Sequence, residues 1–403
     1  MADLGTNGPA PSTPSQTDES SMLRPFAVLL SLTMTFSLSF AADSVLLGGS
    51  STGRLSNAEA SGSTWSAAQV AAWAAANSST ANSLVSERAA FASSIDREDR
   101  QQCVQLALVQ SITRDLEGHE RQRAAAQALT AFHQLRGLDE QQLLLDEAYA
   151  DTEKLIRLAK KADELEINDG NRFELDKQRL QIADQQAEAS GGSAKLRVLL
   201  GQLTAKSYEE VEAARLLAPE SFEGSSTLEQ ALPIGLANRC DLKAIHSLCH
   251  GLNADSLPLA RQVISTLQPG LGLAAAVASR RPLLAAIHAS DKASAAELCQ
   301  RREQCAKLRQ ERESQIRAEI HVAVIDRDTA KKRLQIATEQ RDIDEQLVKQ
   351  SVMAIELDQA TPGADIVATL TLLKSKGRVV QQQTALQVAE VKLREAMGLV
   401  LSD

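Results

Sequence analysis

The sequence predicts a mainly α-helical protein, built from long antiparallel helices that pack like a coiled coil, with at most a short β-hairpin in each half. Alanine, leucine, glutamine and charged residues dominate the 403 residues, whereas aromatic residues make up 3%. That composition is typical of long helices rather than of sandwiches or barrels. Residues 295–359 contain neither glycine nor proline, so they can form a rod of roughly 95 Å. Apolar residues in the last helix recur at intervals of three and four, a spacing typical of the seam between paired helices. They are Ile366, Leu370 and Leu373, followed by Leu386, Ala389, Leu393 and Ala396.

The N-terminal segment has the pattern of an export signal. Arg24 precedes an apolar run of about fifteen residues, Phe26 to Phe40, and Ser39 and Ala41 place small residues where a signal peptidase reads. The run is shorter than the about 20 residues of a membrane-spanning helix.

We therefore interpret residues 1–41 as a leader and Sec signal peptide, with an uncleaved anchor as the alternative and Met22 as a second candidate translation start. The Gly- and Ser-rich residues 42–63 follow as a linker. Export would place the chain in the cell envelope, and no later segment is apolar for long enough to cross a membrane as a helix.

The first half is predicted to be helical with few interruptions. Glycine marks a weak break at position 118, and "INDG" is a turn signal because Asn, Asp and Gly favour turn conformations. The predicted elements are helices over Trp65–Ala76, Ser83–Arg136 and Asp139–Glu166, a turn at 167–170, and a helix over Arg172–Leu200 capped by Gly201.

The second half repeats this order after an irregular connector, 202–226. Helical sequence resumes at Thr227, and residues 267–290 are punctuated in a way that favours two short strands. The long helix then ends at Pro362 and Gly363, and a last helix covers Ala364 to Met397 with Gly398 as its cap.

The duplication predicts a chain of two pseudo-repeats, each with a short opening helix, a long helix, a turn and a final helix. Its predicted divisions are a leader with signal peptide (1–41), a linker (42–63), a first helical repeat (64–201), a connector (202–226) and a second helical repeat (227–403).

Composition and motifs argue against a catalytic function and against nucleic-acid binding. A net charge of −9 offers no basic surface for nucleic acid. No nucleophile, zinc-protease or phosphate-loop motif occurs, so we predict no enzyme and no cofactor. Cys240, His246, Cys249 and His250 match no established metal spacing, which predicts no metal site.

Five cysteines in an exported chain raise the question of disulfides. The sequence suggests two possible pairings, Cys240 with Cys249 or Cys299 with Cys305, and the odd cysteine would remain unpaired.

Several phrases together resemble outer membrane efflux proteins, the TolC-type channel-tunnels. They occur in the family's order, twice over, across roughly residues 65–400. The phrases are "GNRFELDKQRLQIADQ", "TLEQALPIGLANRCDLKAI", "LQPGLGLAAAV", "RREQCAKLRQERESQIRAEIHVAVIDRDTAKKRLQIA" and "TPGADIVATLTLLKSKGRVVQQQTALQVAEVKLREAMG".

The resemblance implies a homotrimeric helical tunnel, with a β-barrel in the outer membrane, that acts as a passive conduit. Its partners would be a periplasmic adaptor and an inner-membrane pump of a tripartite efflux or type I secretion system. It also places the two turns at the periplasmic tip, where acidic residues line the aperture and the adaptor binds. The residues so implied are Asp169, Gly170, Glu174, Asp176, Asp358, Gly363 and Asp365.

Two alternatives stay open. Residues 267–290 are barely long enough for a membrane strand pair, and residues 88–111 show no strands, so a periplasmic coiled-coil structural or adaptor-like protein without a pore satisfies the same pattern. The acidic residues also have a simpler interpretation, because Asp365 near the start of the last helix is well placed as a cap.

Overall fold

Helices account for most of the structure, a computed structural model that describes residues 63–96, 98–164, 172–218, 227–266 and 295–401. All of these residues belong to one compact unit. The predicted leader and almost all of the linker, the turn at 167–170 and the strand pair at 267–290 lie outside the described residues.

Two sets of elements follow one another along the chain. The first set is β1 (Thr64–Trp65), α1 (Ala67–Asn77), α2 (Ser79–Ser93), α3 (Arg100–Glu164), α4 (Arg172–Thr204), α5 (Tyr208–Ala213) and β2 (Arg215–Leu216). The second set is α6 (Leu228–Asn238), α7 (Cys240–His250), α8 (Leu257–Thr266), α9 (Ala295–Glu356) and α10 (Ala364–Met397). The predicted mainly α-helical fold is confirmed.

The two sets have matching helix lengths. Helices α3 and α9 have 65 and 62 residues, and α4 and α10 have 33 and 34. Shorter helices precede each of the first long ones, α1 and α2 before α3, and α6, α7 and α8 before α9. We propose on this ground that residues 64–201 and 227–403 are the two repeats of one duplicated unit.

The last helix forms as predicted, over Ala364–Met397. Gly398 ends it with φ +70°, and the Gly398 and Leu399 amides donate to the carbonyls of Glu395 and Arg394. A left-handed residue at this place is what glycine adopts without a steric penalty.

Glycine was wrongly expected to interrupt the first half. Helix α3 runs without a break through Gly118, Gly137 and Asp139. A β-carbon at Gly118 would contact the Cys240 sulfur, and one at Gly137 would collide with Thr384 of α10. These glycines permit close approach of neighbouring helices, a role that local propensity does not reveal.

Three further boundaries differ from the prediction. Trp65 is not helical but pairs through β1 with Leu216 of β2, inside the supposedly irregular connector, which also holds α5. The predicted helix from Ser83 is two helices, α2 and the start of α3, parted by residues 94–99.

Gly201 lies within α4 rather than capping it, because the helix continues to Thr204. Ala205 is the left-handed residue (φ +54°), and the Lys206 amide donates to the Gly201 carbonyl at 3.0 Å. This is a Schellman-type ending with alanine where glycine is usual.

Four long helices form a layer. Helix α9 packs on α10, α10 on α3, and α3 on α4. The predicted seam lies at these contacts: Leu370, Leu373, Ala389, Leu393 and Ala396 are buried, and Ile366 and Leu386 are half-buried. The shorter helices pack across this layer, α1 and α2 on α3, and α6 and α7 on α9.

One histidine of the layer is buried without a full set of hydrogen bonds. His133 of α3 is 3% exposed, and its Nδ1 has no hydrogen-bond partner among the described residues. Burial, followed by the charges of Arg136 and of Arg394 on α10, lowers the pKa of His133 to about 4.

This histidine predicts acid sensitivity of the fold. Between about pH 6.5 and 4 the unfolded chain binds a proton at this position and the folded chain does not, so stability falls as pH falls. We expect this histidine to lower the free energy of unfolding by roughly 3 kcal/mol near pH 4, relative to its value at pH 7.

The check is the free energy of unfolding measured from pH 7 to 4.5. His133→Gln should flatten this pH dependence, and His321→Gln, at an exposed position, should leave it as in the parent. Equal slopes for the parent and the His133 variant would contradict the assignment.

Candidate functional site

The predicted turn between the last two long helices is built by two left-handed residues. Asp358 (φ +54°) follows α9, and its amide donates to Ile355, while the Gln359 amide donates to Ala354 at 2.8 Å. Asp358 therefore closes α9. Gly363 (φ +93°) is the residue from which α10 begins, and a side chain there would be strained.

The second predicted turn lies beside the end of α3, at one end of the helical layer. A β-carbon on Gly363 would contact Leu155 and Leu158, near the end of α3. Leu155 also belongs to the apolar cluster that includes Leu175 of α4 and Ile366 of α10. Asp169 and Gly170 lie outside the described residues, but the helices on either side of them converge at this end, which we call the tip.

The acidic residues of α4 at the tip are neutralised locally. Glu174 lies 3.6 Å from Lys177, and Asp176 lies 3.5 Å from Arg179 and 3.9 Å from Arg172. All of these side chains remain partly or largely exposed, so the pairs contribute little to stability.

The acidic residues of the second turn are less compensated. Among the described residues neither Asp358 nor Asp365 forms a salt bridge, and Asp358 is exposed. Asp365 lies in the first turn of α10, where the helix dipole favours a carboxylate, but the cap residue is Gly363 and no side-chain capping bond forms there. A side-chain capping bond therefore does not account for the position of Asp365, whereas Asp358 is the left-handed residue that ends α9.

Away from the tip, a buried ion-pair network joins four helices. Arg239, which separates α6 from α7, donates two hydrogen bonds to Asp241 at 2.8 and 2.9 Å. It also donates to Glu319 of α9 at 2.7 Å and to the Ala396 carbonyl of α10 at 3.3 Å. Arg312 of α9 adds a bond of 2.6 Å to Asp241. We call these five residues the Arg239 network.

The network keeps its central carboxylate ionised. Arg239 and Asp241 are 5% and 6% exposed. Burial favours the neutral acid, but the hydrogen bonds and charge of Arg239, with His119 and Arg312 adding to them, hold the pKa of Asp241 well below its usual range. Sequence reasoning noted "LANRCDL" as a repeat opening but did not identify this network.

An open groove of about 790 Å³ runs beside the network. Its lining includes His119, Arg123, Lys392 and Glu395. Burial raises the pKa of Glu395 and lowers that of His119. Both cationic and anionic side chains line the groove, among them Arg123, Lys392, Glu319 and Asp326.

Helix α9 has a second apolar face that the described residues of this chain leave largely exposed. Its buried residues, such as Ile320, Ala330 and Ala337, face α10 and the short helices. The exposed residues lie within about 60° of one another at 100° per residue, and we call them the α9 stripe: Val322, Ile325, Ile336, Ile343 and Leu347, which are 47–61% exposed.

Helix α4, at the other edge of the layer, has a matching face. Phe173 is 85% exposed, Leu180 64% and Val198 49%, and the three fall within about 20° on the helix surface. We call them the α4 stripe. Exposed Gly191 lies on the same face, and a β-carbon there would meet nothing within 4 Å.

Within the described part of the chain, no helix is both long and apolar enough to span a membrane. The same residues contain no group of three or more side chains arranged to hold a metal ion.

No protein-family model and no curated protein matches the chain, but solved structures do. The open state of the Neisseria gonorrhoeae MtrE outer membrane channel matches with a TM-score of 0.56 and 10% identity, over 83% of this chain and 89% of that one. The Vibrio cholerae outer membrane protein VceC matches at 0.53 and 13%, over 74% and 75%. The Campylobacter jejuni CmeC outer membrane channel matches at 0.53 and 12%, over 75% and 69%. This chain is therefore similar in fold to outer membrane channels.

Proposed function

We propose that the chain is the tunnel-forming component of a tripartite efflux or type I secretion system. The observation that carries the proposal is the open layer of four long helices, with an exposed apolar stripe at each edge. Its similarity in fold to solved outer membrane channels supports the same conclusion.

Each edge of the layer needs a partner. Exposed apolar side chains aligned on one face are unfavourable in water and mark a contact surface. The α9 stripe and the α4 stripe lie on opposite edges, so α9 of one copy would pack against α4 of the next. Such a head-to-tail contact closes into a ring when the rotation between copies permits it. The resemblance to efflux proteins implies three copies.

The remaining parts of the proposal rest on the resemblance. A periplasmic adaptor and an inner-membrane pump would be the partners, the outer membrane the site of insertion, and Sec export the route to it. The chain would act as a passive conduit with no reaction and no cofactor of its own.

We further propose that the tip is the periplasmic aperture and adaptor contact, formed by Asp169, Gly170, Glu174, Asp176, Asp358, Gly363 and Asp365. Asp358 and Asp365 are the best supported members, because no cation among the described residues neutralises them. Rings of carboxylates contributed by several copies would attract cations and repel one another.

The test is conductance of the purified full-length chain in a planar lipid bilayer. We expect cation-selective channels, with Asp358→Asn combined with Asp365→Asn reducing the cation-to-anion permeability ratio by roughly twofold. Asp342→Asn, an exposed change in the middle of α9, is the matched control and should leave selectivity unchanged.

An oligomer that needs no detergent and conducts no ions would instead establish the structural or adaptor-like alternative. If the double variant conducts ions with unchanged selectivity, the channel function stands, but the assignment of Asp358 and Asp365 to the aperture is wrong.

A further inference from the structure

Cys249 and Cys305 are brought together by packing between two helices that are far apart in sequence. Helix α7, which carries Cys249, packs against α9, which carries Cys305. Cys305 is 1% exposed inside the apolar cluster formed with α2, α3, α7 and α8, and Cys249 packs against that cluster from its edge. Two contacts bracket the pair: the His246 side chain of α7 lies 3.8 Å from Glu313 of α9, and Arg302 of α9 donates a hydrogen bond at 3.4 Å to the carbonyl of Leu252, just after α7.

The pairings expected from sequence are excluded by helix geometry. Cys299 and Cys305 lie on one helix, where six residues span about 9 Å, and Cys240 and Cys249 on another, where nine residues span about 13 Å. Disulfides join residues whose Cα atoms are usually 4.4–6.8 Å apart. Both pairs are therefore too distant, although their members are close in sequence.

The two thiols differ in access and in acidity. Cys249 is half-buried, whereas Cys305 is sealed in the cluster. The neighbouring Cys305 thiol, followed by the charge of Arg309, lowers the pKa of Cys249, and Cys249 together with burial raises the pKa of Cys305. Cys249 is thus suited to react first and Cys305 to react second.

We propose that Cys249 and Cys305 form a disulfide that links α7 to α9 when the chain meets a disulfide-donating oxidant. Cys249 thiolate attacks one sulfur of the donor disulfide and releases a donor thiolate. Cys305, on losing its proton, then attacks the Cys249 sulfur and releases the second donor thiol. Two protein thiols and one donor disulfide become one protein disulfide and two donor thiols.

The bond would stabilise the fold at a place where the layer is otherwise held by side-chain packing. It closes a long segment of chain, and long loops are restrained most strongly by a cross-link. The proposal does not depend on the channel function, since it rests on packing between α7 and α9 alone.

The experiment treats the full-length chain with oxidised glutathione and maps its disulfides by mass spectrometry of peptides. We expect a Cys249–Cys305 peptide pair, reversed by dithiothreitol, and a rise of about 5 °C in the midpoint of thermal unfolding. Cys249→Ala and Cys305→Ala should each abolish both effects, whereas Cys299→Ala should abolish neither.

Two outcomes would overturn the proposal. They are a cross-link between other cysteines in place of Cys249–Cys305, and a glutathione adduct on Cys249 that Cys305 never displaces. Peptide mapping of the unmodified sequence decides among them even where a variant fails to fold.

Discussion

Replacing both Ile336 and Ile343 with glutamate is expected to convert the assembly of this protein into monomers. Both side chains belong to the α9 stripe and are 59% and 61% exposed in the single chain. In the proposed ring they are buried against the α4 stripe of the next copy. A carboxylate buried there without a cation is unfavourable by several kcal/mol, so the apparent dissociation constant should rise by about 100-fold or more.

The measurement is molar mass by light scattering or sedimentation over a range of protein concentrations. Circular dichroism should show unchanged helix content, because the substitutions lie on a face that the single chain leaves exposed. Leu180→Glu on α4 is expected to have the same effect from the other side of the contact.

Met353→Glu is the control for the effect of placing an exposed glutamate on α9 outside the α9 stripe. Met353 lies on the same helix and is 54% exposed, but it is about 100° away from the centre of the α9 stripe. An Ile336/Ile343 variant that stays oligomeric, or a Met353 variant that dissociates equally, would remove the proposed edge-to-edge contact and leave the fold assignment intact.

Asp241→Asn is expected to lower the free energy of unfolding by about 3–5 kcal/mol, the usual effect of breaking a buried ion pair by removing one partner. The substitution keeps the shape of the side chain and removes its charge. The buried Arg239, which is 5% exposed, and Arg312 then have Glu319 as their common carboxylate partner. Their two guanidinium groups repel each other. Chemical denaturation at pH 7, followed by circular dichroism, measures the loss.

The pH dependence supplies a second readout for Asp241. Because the folded-state pKa is depressed, its stabilisation is present above about pH 4, the unfolded value, and is lost as pH falls through the lower folded value. The difference between parent and variant should therefore shrink below pH 4. Asp342→Asn removes an exposed carboxylate that is also paired with an adjacent arginine and should change stability little.

The repeated order of helices could be predicted because helix propensity and helix-ending residues are local properties of the sequence. The Ala364–Met397 helix lies between Pro362–Gly363 and Gly398, and the helix over 295–356 contains neither glycine nor proline. Sequence also predicted two turns in equivalent positions, and the contact of Gly363 with Leu155 places the second of them beside the end of α3.

Other features could not be predicted, because the same residue type serves different purposes in different surroundings. Gly137 signals a break in isolation, yet in the fold it admits Thr384 of a neighbouring helix. Gly201 resembles a cap, but the helix continues to Thr204 and the following alanine adopts the left-handed conformation. The role of Gly137 depends on a residue distant in sequence, and the ending after Gly201 uses an alanine where glycine is usual, so neither follows from glycine preferences alone.

The sequence by itself determined the helical class, the order of the long helices and the place where the last one begins and ends, since these depend on propensity, periodicity and caps. Only the tertiary structure decided which charges pair, which thiols meet and which apolar residues stay uncovered. Those properties depend on contacts such as Arg239 with Glu319 and Cys249 with Cys305, whose members are joined by packing rather than by spacing along the chain. The exposed stripes at the two edges belong to the same class, because periodicity marks an apolar face but not whether the chain itself covers it.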